Sequence, residues 1–183
     1  MKVAFPDLIE TERLIVRPAR PGDGAVFNRA IHESLDQLRP WLGWVSPPPT
    51  PEESEDSCRR AHEKFLSGED LMAFFFLKEG GAMVGGSGLH DPDWELRCFE
   101  VGYWGRSGHG GRGLVTEGVR ALAEFALSSL GARRVFLTTD QENRRSWRLA
   151  ENAGFELEGI LRNERLNLAG MPRDTRVYSR VPA

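Results

Sequence analysis

The chain has 183 residues, 28% of them charged and 40% hydrophobic, with a net charge of −3. That length fits one domain with a core large enough to need no disulfide or metal, here expected to span residues 1–183. The balance excludes a disordered chain, a coiled coil and a general nucleic-acid binder, and no apolar run approaches the length of a membrane span. The first residues carry no apolar export signal, so the expected location is the cytoplasm.

In chain order, residues 12–17 (ERLIVR) predict a short strand. A helix starts at Pro21-Gly22-Asp23 and runs to about Leu38, with Val26, Phe27, Ala30 and Ile31 on one face. Residues 38–45 (LRPWLGWV) hold Trp41 and Trp44, and the PPPTP stretch at 47–51 is a loop. Pro51 opens a second helix that ends near Ser67-Gly68, with acids gathered at its positive end. Residues 71–77 and 82–89 are strands joined by the hairpin signal Glu79-Gly80-Gly81, and residues 96–104 form a third strand. After a glycine-rich loop come a helix from Leu114 to about Leu130, a strand at 134–139 and a short helix at 143–152. Closing strands lie at 155–161 and 173–180. This order predicts an α/β fold with a mixed, largely antiparallel sheet flanked by helices.

Charge is unevenly placed: residues 51–100 hold 12 acidic and 5 basic residues, and residues 133–183 hold 7 acidic and 10 basic. Solvated faces of opposite sign account for this as well as a basic site beside an acidic lip does. Cys58 and Cys98 stand far apart, and the four histidines are scattered without ligand spacing, so no metal is expected.

The strongest local signal is Gly108-His109-Gly110-Gly111-Arg112-Gly113, between a strand and a helix. Glycines let successive backbone N–H groups turn into one concavity, and the following helix adds its positive end. An anion site results, suited to a phosphate or diphosphate. Three ligands compete for it. A dinucleotide fits the formal G-x-G-x-x-G match, with Asp140 at the end of the next strand. Against it, the match comes late in the chain, Trp104 to Ser107 precede the first glycine, and about 70 residues remain afterwards. A nucleotide P-loop lacks its Lys-Ser/Thr. The third is the diphosphate of coenzyme A.

Here the loop is similar to the Q/R-x-x-G-x-G/A motif of GNAT-type N-acetyltransferases, read as Gly110-Gly111-Arg112-Gly113-Leu114-Val115, with Gly110 and Val115 as departures. Nearly the whole chain resembles the RimJ/RimL branch, which acetylates protein amino-termini. The matching segments are LIETERLIVRP, LRPWLGWV, FEVGYW with the later L-x-T-E-G, Asn143-Arg144-Arg145-Ser146 followed by ENAGFELEG, and residues 170–178. The resemblance implies an acetyl-CoA-dependent N-acetyltransferase acting on a primary amine, either a protein N-terminus or a small molecule, as a monomer or homodimer. It also implies a sheet splayed beside the strand 101–104, along which the pantetheine lies. A non-catalytic acyl-CoA sensor and, behind it, a dinucleotide oxidoreductase are the alternatives.

Site expectations follow from the resemblance. Gly108, Gly110, Gly111 and Gly113, with the amides of Leu114, Val115 and Thr116, meet the diphosphate, and Arg112 pairs with a phosphate. Val101, Gly102, Tyr103 and Trp104 border the cofactor, a backbone N–H there serves the thioester oxygen, and Gly102 permits a bulge or close approach. Glu100 takes the amine's proton, or else pairs with an arginine. The tyrosine that many such enzymes carry is replaced by Ala150, and Ser146 stands toward the sulfur instead. Asn143 bonds the pantetheine or caps its helix. Trp41, Trp44 and His90 are candidates for acceptor contact, and the acids at 52–56 border the same groove.

Overall fold

The computed structural model describes residues 5–167 and 169–182. The first four residues, part of the stretch read for an export signal, lie outside them. Eight strands form one sheet in the order β1-β2-β3-β4-β5-β6-β8-β7. The strands are β1 (Ile9–Glu10), β2 (Leu14–Pro18), β3 (Leu71–Leu77), β4 (Met83–Asp93), β5 (Cys98–Gly105), β6 (Arg134–Asp140), β7 (Glu156–Leu166) and β8 (Pro172–Arg180). The helices are α1 (Gly24–His32), α2 (Leu35–Leu38), α3 (Pro51–Ser67), α4 (Leu114–Ser128) and α5 (Arg144–Asn152). Every neighbouring pair is antiparallel except β5 and β6. The mixed sheet expected from the order of elements is therefore present. No helix among the described residues is long and apolar enough to cross a membrane.

Helices pack on each face of the sheet. Phe27 and Ile31 of α1 and Cys58 of α3 pack on Phe74 and Met83. Val119, Leu122 and Ala126 of α4, with Ala150 of α5, pack on Phe75, Phe99, Val135 and Tyr178. The alternation of Phe74 and Phe75 to opposite faces is the period-2 pattern of a strand buried on both sides. α4 comes very close to the sheet at Gly118, where an added Cβ would lie 2.7 Å from the fully buried Phe75 ring. Gly118→Ala should therefore destabilise the protein by about 1–3 kcal/mol despite alanine's better helix propensity. A thermal melt that rises or stays level would contradict this.

Several boundaries differ from the sequence reading. The helix expected from residue 23 to 38 is broken at Glu33 and Ser34. Ser34 is buried, donates its hydroxyl to Ala30 O at 2.6 Å and accepts from Ser107 N–H at 2.9 Å. A serine that answers both its own helix and a distant loop competes with continued helix. Asp23 does not cap α1 with its carboxylate, which forms a two-point ion pair with Arg17 at 2.7 Å. The second helix begins as expected: Thr50 and Glu53 make a reciprocal capping box, Pro51 takes the first turn and Gly68 closes it with φ 76°. β1 was not expected, and β4 and β7 run longer than their apolar segments. Gly102 makes no bulge, since it pairs in register with Gly88, and the irregularity in that ladder lies between His90 and Asp93.

β5 and β6 pair only from Cys98 to Glu100 and then part. The splay expected beside residues 101–104 is this separation. Gly102 O accepts from Ser87 on the β4 side at 2.6 Å. A strand residue's N–H and C=O point the same way, so Val101 and Tyr103 turn theirs toward the gap.

Candidate functional site

A cavity of about 1120 Å³ fills the gap between β5 and β6. Its walls come from every element that meets there: Trp41 and Leu42 after α2, Glu100 to Gly105 of β5, the glycine loop, the start of α4, Thr138 to Asp140 of β6, and one side of α5. Arg165 of β7 and Arg173 of β8 reach it from the far hairpin.

The glycine loop is shaped by its backbone. Gly108, Gly111 and Gly113 have φ of 81°, 75° and 71°, the left-handed region that glycine enters at no steric cost. A Cβ at Gly108, Gly110 or Gly111 would meet nothing within 4 Å, so these positions face open space. Gly113 is the N-cap of α4 and offers no side chain to its first turn. Glu117 N–H is the first to close on the helix, bonding Gly113 O at 3.0 Å. The amides of Leu114, Val115 and Thr116 are therefore left pointing out of the helix end, with the positive end of its dipole behind them. This is a fit for a diphosphate.

The one acid in that turn is turned away. Glu117 accepts from Arg13 N–H at 2.9 Å and Nε at 2.6 Å, and from the Thr11 hydroxyl. Burial raises its pKa, but the Thr11 and Arg13 contacts outweigh burial and hold it below the usual carboxylate range. The carboxylate stays with Arg13 and away from the anion site.

The loop is also tied to α1 and α2. Arg106 reaches Glu33 at 2.7 Å and Met83 O at 3.1 Å, Ser107 N–H reaches Ser34, and Gln37 donates to Gly105 O at 2.9 Å. Arg112 is not among the cavity-lining residues, and its backbone carbonyl accepts from Arg13 Nη1 at 2.9 Å.

Across the gap, Asn143 caps α5, its side-chain oxygen accepting Ser146 N–H at 3.2 Å. Both residues line the cavity. Tyr103 reaches over from β5 and donates its hydroxyl to Ser146 O at 2.7 Å, with Ser146 Oγ 3.1 Å away. Burial pushes the phenol pKa up, with the Ser146 contact opposing it, so Tyr103 remains protonated. This hydroxyl pair escaped the sequence reading, because nothing in a strand residue announces a partner 43 positions away. Ala150, at the place of the absent tyrosine, is fully buried.

Glu100 sits at the last joined pair of β5 and β6, half-buried on the cavity wall. Its hydrogen-bond partner is the Thr138 hydroxyl at 3.4 Å, which in turn accepts from Arg165 at 3.2 Å. No arginine pairs with Glu100 directly among the described residues. Trp41 lines the cavity, whereas Trp44 is half exposed and packs on Phe27 at 6.2 Å. The acids at 52–56 lie away from the cavity, with Glu53 in the capping box and Glu55 accepting from the Gly22 and Gly24 amides. His90 stands beside Glu100 on β4, behind the wall. Among the described residues, no group of three or more His, Cys, Asp or Glu could hold a metal.

Comparisons with known proteins identify the family and the fold. Residues 13–156 match the family model described as an acetyltransferase (GNAT) domain. The chain is 32% identical to the uncharacterized N-acetyltransferase YoaA of Bacillus subtilis (strain 168), covering 97% of both chains. Two solved structures share its fold, each at 19% identity and a TM-score of 0.87. The microcin C7 self immunity acetyltransferase MccE, in complex with acetyl-CoA and AMP, is matched over 98% of this chain and 99% of its own. RimL, the ribosomal L7/L12 alpha-N-protein acetyltransferase in complex with coenzyme A, is matched over 95% and 97%.

Proposed function

We propose, since the chain belongs to the GNAT acetyltransferase family, that it moves an acetyl group from acetyl-CoA to the primary amine of a peptide N-terminus or a small molecule, as one domain spanning residues 1–183. The observation that carries this reading is the set of outward amides at Leu114, Val115 and Thr116, opening on a cavity whose other walls hold Glu100 and Ser146.

Acetyl-CoA supplies the activated acyl group. The glycine loop and the first turn of α4 bind its diphosphate through main-chain N–H groups. Val101 and Tyr103 turn their N–H groups into the gap, where one of them receives the thioester oxygen as negative charge builds on it. Glu100 meets the acceptor amine and takes its proton, directly or through water. Ser146 donates its hydroxyl to the departing sulfur. Tyr103 holds Ser146 in place, since its phenol stays protonated and bonds the Ser146 carbonyl. Trp41 and Leu42 form the wall that the acceptor meets from the α2 side.

Thiol release from acetyl-CoA over a panel of primary amines and short peptides tests the reading. Release with at least one amine is expected; binding without turnover anywhere would favour a sensor. Ser146→Ala should lower kcat about 10- to 100-fold while leaving acetyl-CoA affinity within about threefold, because its hydroxyl acts on departing charge. Equal losses in both quantities would contradict that role. Tyr103→Phe should produce a smaller fall of the same kind.

A further inference from the structure

We infer that the Asp70–His90 pair is the outlet through which the proton taken up by Glu100 leaves the cavity. The inference rests on the acetyl-transfer reading above and adds to it a group outside the cavity wall.

The arrangement is unusual in what it leaves unfilled. His90, near the end of β4, stands opposite Glu100 on β5. Residues directly opposite on antiparallel strands share a face, with Cβ atoms about 4.5–5.5 Å apart. The His90 ring lies in space that glycines vacate. An added Cβ would fall 2.3 Å from its Cε1 and Nε2 at Gly88, and 3.5 Å from its Cδ2 at Gly102. Gly102 and Glu100 both line the cavity, so the ring, set against Gly102, lies next to the strand position where the proposed base stands.

The tautomer is set from outside. Asp70, in the turn between α3 and β3, places Oδ1 2.8 Å from His90 Nδ1. A carboxylate only accepts, so in the neutral ring Nδ1 carries the hydrogen and Nε2 is left with a free lone pair. No described residue bonds to Nε2. The charged groups that act on the ring are Asp70 from that turn, Glu100 from β5 and Asp91 on its own strand, all acidic. Burial disfavours the imidazolium, but these acids outweigh burial and raise the pKa above the ordinary imidazole range. The side chain is still 36% exposed, which gives the proton a way out to water.

The proton count closes. As the new N–C bond forms and the thioester C–S bond breaks, the amine's proton passes to Glu100, which becomes a carboxylic acid, and CoA leaves as a thiolate that the Ser146 hydroxyl meets and solvent protonates. Glu100 then gives it to His90 Nε2, directly or through one water, and returns to a carboxylate. The imidazolium, held by Asp70, releases it to solvent. His90 acts through Glu100 and does not touch the acceptor, so it is a positioning residue for the proton.

The test is the pH dependence of kcat/KM for wild type, His90→Gln and Asp70→Asn. The acceptor is the first amine of the panel that wild type acetylates, and acetyl-CoA affinity is measured alongside by calorimetry. The raised histidine predicts a wild-type acid limb above the ordinary imidazole range, with activity lost as pH falls through it. Asp70→Asn should move that limb to lower pH. His90→Gln should abolish the limb in the neutral range and lower kcat about tenfold or more, with affinity unchanged within about twofold. A wild-type limb and rate in His90→Gln would overturn the inference, and if that variant fails to bind acetyl-CoA, an unshifted limb in Asp70→Asn overturns it instead. If wild type acetylates nothing, the acetyl-transfer reading fails first and takes the inference with it.

Discussion

Gly113→Asp is expected to reduce acetyl-CoA affinity at least about 100-fold, as read by calorimetry, while the thermal midpoint moves by only a few degrees. There is room for the side chain: a Cβ at this position comes no nearer than 3.8 Å to a neighbour, the Arg13 guanidinium. Aspartate also tolerates the left-handed backbone better than most residues, at a cost of about 1–2 kcal/mol. The loss comes from the site. The new carboxylate would stand at the leading end of α4, beside the outward amides of Leu114, Val115 and Thr116. It would bond those amides itself and repel a diphosphate, and a charge-assisted hydrogen bond is worth about 1.5–3 kcal/mol. Unchanged affinity would mean that the carrier is held elsewhere.

Glu100→Gln should lower kcat/KM about 100- to 1000-fold near neutral pH and leave acetyl-CoA affinity within a few fold. Glutamine keeps an oxygen for the Thr138 hydroxyl, so the packing on the wall survives. The defect should shrink as pH rises toward the acceptor's own pKa, because an amine already deprotonated in solution needs no base. A variant with the wild-type rate at pH 7 would leave Glu100 as a wall residue only.

Much of this was legible before any fold was in view, for reasons that are local. The left-handed Gly80 and Gly81 turn the β3–β4 hairpin, and Gly108, Gly111 and Gly113 shape the glycine loop. Pro51 and the acids that follow it mark the start of α3 locally. What the sequence withheld is long-range. The break at Ser34 exists because Ser107 needs an acceptor, and Ser107 lies 73 positions away. The Tyr103–Ser146 contact needs β5 and α5 to face each other across the gap, and the Asp70–His90 contact needs β3 and β4 in register. Arg165 and Arg173 gave no periodic signal, and they reach the cavity only because β7 and β8 form a hairpin that extends over it.

The short joint between β5 and β6 has a mechanical consequence. Three residue pairs hold the strands together, ending at Glu100, and beyond that point they diverge like the arms of a V. Glu100 occupies the vertex, so any opening or narrowing of the arms displaces it least. The glycine loop and the leading end of α5 lie out along separate arms and would be displaced most. On the acetyl-transfer proposal the proton acceptor is thus the geometrically fixed end, and the Tyr103–Ser146 bond is a tie across the arms that any such motion would have to strain.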